Sequence, residues 1–282
     1  MALESSKGNT GQFVMDDVVR RPRGRPRKNP TETDSTKVVA LERGLKLLEL
    51  LARERRVSLT EIAMQAGMPP STARRLLMTL HNYRFADFDE VSQDWMIGVE
   101  AFRVGSGFLN RIDVVEAARD VMKDLVAETG ETANLAIAND GDAVFLSQIE
   151  SPNPVRACFQ PGMRSQMHAS GVGKALLAYL PRKDVEALLQ KKGMEEFTGN
   201  TITKPDHLFA ELERIRQQGW SIDNGERHYG MCCIAAPIFG AKGSTTAAIS
   251  ISGPASRFTN RAIVDFSAAI CHAAAKVSSA IG

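Results

Sequence analysis

Two short helices joined by a tight turn are predicted between residues 58 and 82, and this pattern constrains the fold most. Residues 58–61 (Ser-Leu-Thr-Glu) have the spacing of a capping box, which begins a helix. Gly67 suits the left-handed residue that ends this helix, and Pro69 or Pro70 suits the first turn of the next one. A helix, a tight glycine turn and a second helix are typical of DNA-binding domains.

Patterns on both sides of these helices indicate a winged helix-turn-helix over residues 36–98. Before them, apolar residues at helical spacing predict a scaffold helix that ends in the basic run 53–56. After them, residues 85–89 and 93–98 are two alternating runs around a polar turn, as in a hairpin wing. On the second helix four apolar residues face inward: Ala73, Leu76, Leu77 and Leu80. This leaves five side chains for a DNA groove or its phosphates: Ser71, Thr72, Arg74, Arg75 and Met78.

A basic arm precedes the winged helix. Residues 1–35 are poor in apolar side chains, and we expect them to be disordered without DNA. Within the arm, prolines keep the segment 22–26 (PRGRP) extended, and Gly24 lets its backbone approach the floor of a groove. Arg23 and Arg25 suit the negative potential of a narrow A·T minor groove, so the segment resembles an AT-hook. A solvated basic tail or a localisation tag is the alternative interpretation.

The charge is divided unevenly along the chain. Through Arg84 there are 16 Lys and Arg against 9 Asp and Glu, whereas the whole chain has a net charge of +2. The basic excess therefore lies where double-stranded DNA is expected to bind, and the remaining residues are net acidic. No apolar stretch approaches the length of a membrane span, and the start has no hydrophobic signal core. We therefore expect a cytoplasmic, nucleoid-associated protein without a membrane partner.

The second half of the chain predicts an α+β domain over residues 113–282, after a linker helix over residues 99–112. Its architecture is an antiparallel sheet flanked by helices. Residues 139–141 (Asn-Asp-Gly) are a strong hairpin signal. The predicted strands are 132–138, 143–149, 155–159, 220–222, 233–239 and 245–252. The predicted helices are 113–129, with Val115, Ala118, Met122, Leu125 and Val126 on its buried face, and 171–179, 182–191, 205–218 and 260–279.

Four motifs in this chain resemble the IclR family of bacterial transcriptional regulators. They are residues 41–48 (LERGLKLL), 71–77 (STARRLL), 168–175 (HASGVGKA) and 249–254 (ISISGP). The resemblance extends from Lys37 to the C-terminus, and the basic arm departs from the usual family pattern. It implies a winged helix, a linker helix and a C-terminal GAF-like domain that binds a small metabolite, in a homodimer or a dimer of dimers on a palindromic operator. Within the family, residues 163–252 are most similar to the repressors of the acetate and glyoxylate-bypass operon, whose ligands are glyoxylate and pyruvate.

The resemblance also implies a ligand site. The matching positions are Gly171, Val172, Asp223, Cys233, Ser250 and Ser252, with Met231 and Ser165 at the edge. The residues themselves suit a 2-oxo acid, because free N–H groups at the start of a helix favour a carboxylate. Ser250 and Ser252 alternate to one face of their strand. Because an ionised Asp223 would repel an anion, we expect it to accept hydrogen bonds from a hydrated aldehyde or to carry a proton. Ordinary packing at strand ends is the alternative interpretation.

Two other functional classes are weaker interpretations. Residues 171–174 (GVGK) are not a P-loop, because His168 and Ala175 stand where Gly and Ser or Thr are required. His168 and His228 are candidate partners for Cys232 or Cys233, but isolated histidines are more often structural, so we expect no catalytic residues and no cofactor. The cysteines agree with a reducing compartment and lack the spacing of a zinc site. An architectural protein that binds AT-rich DNA without an effector is the alternative to a repressor or activator that responds to a metabolite.

Overall fold

The computed structural model describes residues 37–109 and 113–282. The chain divides between Val99 and Glu100 into two compact units. The AT-hook-like segment with Arg23, Gly24 and Arg25 lies outside the described residues. Within the described ranges, no helix is long and apolar enough to cross a membrane.

The N-terminal unit is a winged helix. Its elements are α1 (Val39–Arg53), β1 (Val57–Ser58), α2 (Leu59–Ala66), α3 (Pro70–Asn82), β2 (Ala86–Asp89) and β3 (Asp94–Ile97). The predicted signals act as expected, because the Ser58 side chain accepts from the Glu61 N–H and Gly67 ends α2 at a φ of 66°. The strands form an antiparallel sheet in the order β1-β3-β2, and β1 is too short for a sequence pattern to reveal.

A small apolar core holds the three helices against this sheet. Leu47 and Leu51 of α1, Ile62 of α2 and Leu77 of α3 are completely buried, and Trp95 of β3 covers them from the wing. Ala73 is also buried, whereas Leu76 and Leu80 pack only partly against the core. The inward face predicted for α3 is therefore confirmed, with two of its four residues at the edge of the core.

The C-terminal unit is a six-stranded antiparallel sheet with helices on both faces. After α4 (Val99–Leu109), its helices are α5 (Asp113–Thr129), α6 (Gly171–Leu177), α7 (Arg182–Lys192), α8 (Pro205–Gln218) and α9 (Asn260–Ile281). Its strands are β4 (Thr132–Asn139), β5 (Asp142–Ile149), β6 (Arg164–Gln166), β7 (Ser221–Asn224), β8 (Met231–Phe239) and β9 (Thr245–Pro254). The order β6-β5-β4-β9-β8-β7 brings chain-distant strands together at the centre of the sheet.

Each face of the sheet has its own apolar core. Ile249 and Ile251 of β9 point to the face covered by α5 and α9, where Met122 and Ile270 are completely buried. Side chains of the alternate positions point to the opposite face, which α6, α7 and α8 cover. This alternation puts the polar residues of β8 and β9 on the side of α6.

One sequence prediction is wrong in this unit, and another is only partly confirmed. Residues 155–159 are not a strand, because their carbonyls bind side chains: Thr132 Oγ1 donates to the Ala157 carbonyl at 3.2 Å, and Arg257 donates to the Val155 carbonyl. The edge of β5 is instead paired with β6, with Val144 opposite Arg164. On α5 the buried residue at the start is Val114 rather than Val115, which packs only partly against the core.

Candidate functional site

The exposed face of α3 is the candidate DNA-binding surface. Ser71, Arg74 and Arg75 are exposed, and Thr72 is half-buried. Neither guanidinium has an acidic partner within 4.0 Å among the described residues. Thr72 and Arg75 also line a shallow surface groove that α3 forms with α1. The helix therefore presents two uncompensated cations, which suits phosphates and base edges.

The wing is braced by an ion pair that sequence reasoning missed. Arg56, directly before β1, donates to Asp89 at the end of β2. Asp89 also accepts from the backbone N–H groups of Val91 and Ser92 in the turn. The hydrogen bond from Arg56 is the main reason that the pKa of Asp89 falls to about 2. The wing is thus tied to the strand that begins the helix-turn-helix.

A cavity of about 240 Å³ lies in the C-terminal unit, where α6 begins above the ends of β7 and β8. Seven residues singled out from the sequence line it: Ser165, Gly171, Val172, Asp223, Met231, Cys233 and Ser252. Ser250 does not line it. That residue is completely buried deeper along β9, and its hydroxyl has no hydrogen-bond partner among the described residues.

The start of α6 forms one wall of the cavity. Ser170 caps the helix, because its hydroxyl accepts from the Gly173 N–H at 3.2 Å. The N–H groups of Gly171 and Val172 precede the first hydrogen bonds of the helix. A Cβ on Gly171 would lie 2.9 Å from the sulfur of Cys233, so this close approach of α6 to β8 requires glycine. The wall therefore offers two backbone donors beside a thiol.

Asp223 is the acidic residue of the cavity. It lies opposite Cys233 in the pairing of β7 with β8. Its side chain is buried, and this burial raises the pKa of the carboxyl group above its ordinary value. One oxygen accepts from the backbone N–H of Glu226 at 2.7 Å. Burial thus disfavours the ionised form, whereas the backbone hydrogen bond from Glu226 and the charge of Lys174 favour it.

A buried charge cluster lies behind this carboxyl group. Lys174 of α6 is completely buried, and its ammonium group donates to the Ile222 carbonyl at 2.6 Å. It also lies 2.5 Å from an oxygen of Glu226 and 3.6 Å from one of Glu211. Burial raises the pKa of Glu226 to about 7, and the attraction of Lys174 opposes this rise. The cluster thus links α6 to residues on both sides of Asp223, through the carbonyl of Ile222 and the carboxylate of Glu226.

The thiols in this region are not activated nucleophiles. Burial raises the pKa of Cys233 to about 11 and that of Cys232 to about 12. The His168 ring bonds to the carbonyl of Glu195 at 3.0 Å. No cluster of three or more possible metal ligands occurs in the part of the chain that the structure describes.

Sequence reasoning missed two arginines at the cavity, Arg156 and Arg227, and it considered His228 only as a partner for a cysteine. Arg156 belongs to residues 155–159, which the sequence predicts as a strand but which form a loop. Arg227 and His228 belong to the loop between β7 and β8, which positive-φ glycines flank at Gly225 and Gly230. A charged loop between two glycines, directly after Asp223, is the signal that would have found them.

Comparisons with known proteins assign both units to one family. The family model of the IclR helix-turn-helix domain matches residues 40–90, and that of the bacterial transcriptional regulator IclR C-terminal domain matches residues 106–279. The chain belongs to the IclR family.

Individual relatives agree with this assignment. The HTH-type transcriptional regulator BhcR of Paracoccus denitrificans is 45% identical over 258 residues, which are 92% of each chain. The acetate operon repressor of Salmonella typhimurium is 37% identical over 263 residues, covering 92% of this chain and 96% of the relative. The crystal structure of the Thermotoga maritima IclR superposes with a TM-score of 0.74 at 29% identity, over 87% of this chain and 100% of that one.

This member of the IclR family is a DNA-binding transcriptional regulator. Because its relatives are regulators of transcription, the enzyme interpretation is excluded. The resemblance drawn from the sequence motifs, and the fold class it implied, are confirmed. The winged helix supplies the DNA-binding surface, and the cavity beside α6 is the candidate effector site.

Proposed function

We propose that promoter binding by this regulator responds to a small 2-oxo acid, with glyoxylate the favoured effector and pyruvate the next. The observation that carries the proposal is the cavity in which the start of α6 meets Asp223, Cys233 and Ser252. The 37% identity to an acetate operon repressor supports two-carbon metabolism as the regulated process. An architectural protein that only bends DNA would need no such cavity.

The proposed binding mode assigns one task to each polar wall. The N–H groups of Gly171 and Val172 bind the carboxylate, where the helix dipole favours negative charge. A protonated Asp223 and the hydroxyl of Ser252 bind the carbonyl oxygen or its hydrate. Cys233 and Met231 pack against the carbon atoms. An acid without the oxo group would leave buried polar atoms unpaired, so it should bind more weakly.

Calorimetry with glyoxylate, pyruvate, glycolate and acetate tests this proposal. The two oxo acids should bind most tightly, with micromolar to millimolar dissociation constants, because about five heavy atoms supply at most roughly −1.5 kcal/mol each. Asp223→Ala and Ser252→Ala should weaken the binding of glyoxylate without unfolding the domain. Ser250→Ala should weaken this binding less, because Ser250 does not line the cavity. If no oxo acid binds at millimolar concentration, the effector assignment is wrong, but the assignment of the protein as a transcriptional regulator still holds.

We further propose a homodimer or a dimer of dimers on a palindromic operator, in the cytoplasm at the nucleoid. A single winged helix reads too few base pairs to find one promoter among about 10⁶ competing sites, and a two-fold axis doubles the readout. Sedimentation should detect at least a dimer at micromolar concentration. A monomer that binds a half-site with full affinity would contradict this assembly.

A further inference from the structure

Arg227 is a cation with no ion-pair partner among the described residues. Its Nη1 donates to the neutral side chain of Gln166 at 2.7 Å, and its guanidinium carbon lies 3.7 Å from the centre of the Phe197 ring. Within residues 37–109 and 113–282, no carboxylate lies within 4.0 Å of it, whereas the neighbouring Arg156 pairs with Glu150. A half-buried guanidinium that is oriented by stacking and hydrogen bonding, yet has no counter-ion in the described part of the chain, is prepared for an anionic ligand.

The burial of the lining residues divides the cavity into a deep end and a mouth. Asp223, Ser252 and Val172 are buried, so the groups proposed to bind the oxo acid lie at the deep end. Arg227 is half-buried, and His228 beside it is exposed, so this loop forms the mouth. A ligand carboxylate bound at the mouth would therefore be distinct from the ligand carboxylate bound at the start of α6.

The volume of the cavity exceeds what the smallest oxo acid fills. At about 30 Å³ for each water molecule, its 240 Å³ would hold about eight waters. Glyoxylate, with about five covalently linked heavy atoms, would leave part of this space to solvent. The lining of the cavity also includes the aromatic and apolar side chains of Phe145, Phe159 and Met231, which suit a short carbon chain.

We propose that Arg227 binds a second carboxylate of the effector, so that the cavity accepts dicarboxylic 2-oxo acids of four or five carbons. The proposal deepens the effector site proposed above and rests on it. In this mode the oxo-acid end occupies the start of α6, Asp223 and Ser252, the carbon chain packs against the apolar lining, and the distal carboxylate meets the guanidinium. A planar fork binds a carboxylate through two parallel hydrogen bonds, which a neutral end group of the same length does not form.

The test compares 2-oxoglutarate with 2-oxopentanoate by calorimetry on the full-length protein, because these acids share one chain length and differ in the distal carboxylate. The wild-type protein should bind 2-oxoglutarate about tenfold or more tightly, as expected for charge-assisted hydrogen bonds. Arg227→Gln should abolish this preference and leave glyoxylate nearly unaffected, and Arg227→Lys should retain part of it. The matched control is Arg182→Gln, since Arg182 also lies over a phenylalanine ring, at 4.1 Å from the centre of Phe209, but does not line the cavity.

Three outcomes would overturn this proposal without affecting the one on which it rests. Equal affinity of the wild type for the two five-carbon acids overturns the role of Arg227 as the second-carboxylate site. A preference for 2-oxoglutarate that survives in Arg227→Gln overturns this role as well. So does an equal loss of affinity for glyoxylate and 2-oxoglutarate in that variant, because it would assign Arg227 to the carboxylate that both acids share. Binding of glyoxylate in any of these cases leaves the proposed effector class intact. Absence of binding by every oxo acid refutes both proposals together.

Discussion

Replacing Lys174 with methionine tests whether the buried charge cluster supports the effector site. Methionine fills a similar volume but removes the donor to the Ile222 carbonyl and to Glu226. One oxygen of Glu226 already lacks a hydrogen-bond partner among the described residues, so the variant leaves this carboxyl group without its cation. Removing one member of a buried ion pair costs about 3–5 kcal/mol of unfolding free energy. We expect a loss of that order near pH 8.

The loss should depend on pH because the pKa of Glu226 is raised. Burial raises this pKa from 4.5 to about 7, so the folded protein holds the proton more tightly than the unfolded chain. This contribution to stability is complete below about pH 4.5 and is lost as the pH rises through 7. At pH 5.5 the carboxyl group is mostly protonated in both proteins, and the variant buries no unpaired anion. Because pH 8 is only about one unit above this pKa, a further rise of the pKa in the variant adds at most about 1.4 kcal/mol in total to the loss at pH 8.

Urea denaturation at fixed protein concentration, at pH 5.5 and pH 8, measures this difference. Lys191→Met is the control, because Lys191 pairs with Asp140 at the exposed surface and should leave the midpoint nearly unchanged. Since Lys174 holds the backbone beside Asp223, the variant should also bind glyoxylate more weakly. A Lys174→Met protein as stable as wild type at pH 8, or a loss of equal size at both pH values, would refute the reasoning.

Three further predictions concern the DNA-binding half of the chain. Arg74→Ala or Arg75→Ala should cost about 1–3 kcal/mol of operator binding if the side chain reads a guanine, or weaken all sequences alike if it holds a phosphate; wild-type affinity in both variants, measured by fluorescence anisotropy, would rule out this surface. Deleting residues 1–30 should lower the affinity for operator DNA and the dependence of this affinity on salt concentration, without changing which operator is bound. An unchanged salt dependence would show that the arm does not contact DNA. Ser58→Ala should lower the thermal stability of the winged helix by about 1 kcal/mol, since it removes the cap of α2, whereas Ser71→Ala on the exposed face serves as a control and should not.

Local chemistry made many elements predictable from the sequence. The capping box at Ser58 and the left-handed Gly67 fixed both ends of α2, because each signal acts over only a few residues. The turn at Asp140 and Gly141 has positive φ at both positions, as the hairpin signal requires. In the site, sequence motifs selected residues that do line one cavity, although their role as ligand contacts stays a prediction.

Strand pairing and buried ion pairs that depend on residues distant in the chain were not predictable from local sequence. Residues 155–159 have strand-like composition, but side chains from elsewhere bind their carbonyls and β6 takes the place beside β5. Lys174 and Glu226 form an ion pair although they are 52 residues apart, and no local sequence pattern around either residue predicts this pair.

The sequence by itself determined the family, the winged helix, most helix ends and the positions of the motifs, because these follow from periodicity, capping and turn chemistry over short distances. Only the tertiary structure decided that Ser250 stays outside the cavity wall while Ser252 joins it, and that burial raises the pKa of Asp223. It also decided that Arg227 lines the cavity without a counter-ion among the described residues. Burial and charge compensation are properties of a side chain's whole surroundings, and those surroundings exist only once the sheet, α6 and the loop after β7 have come together.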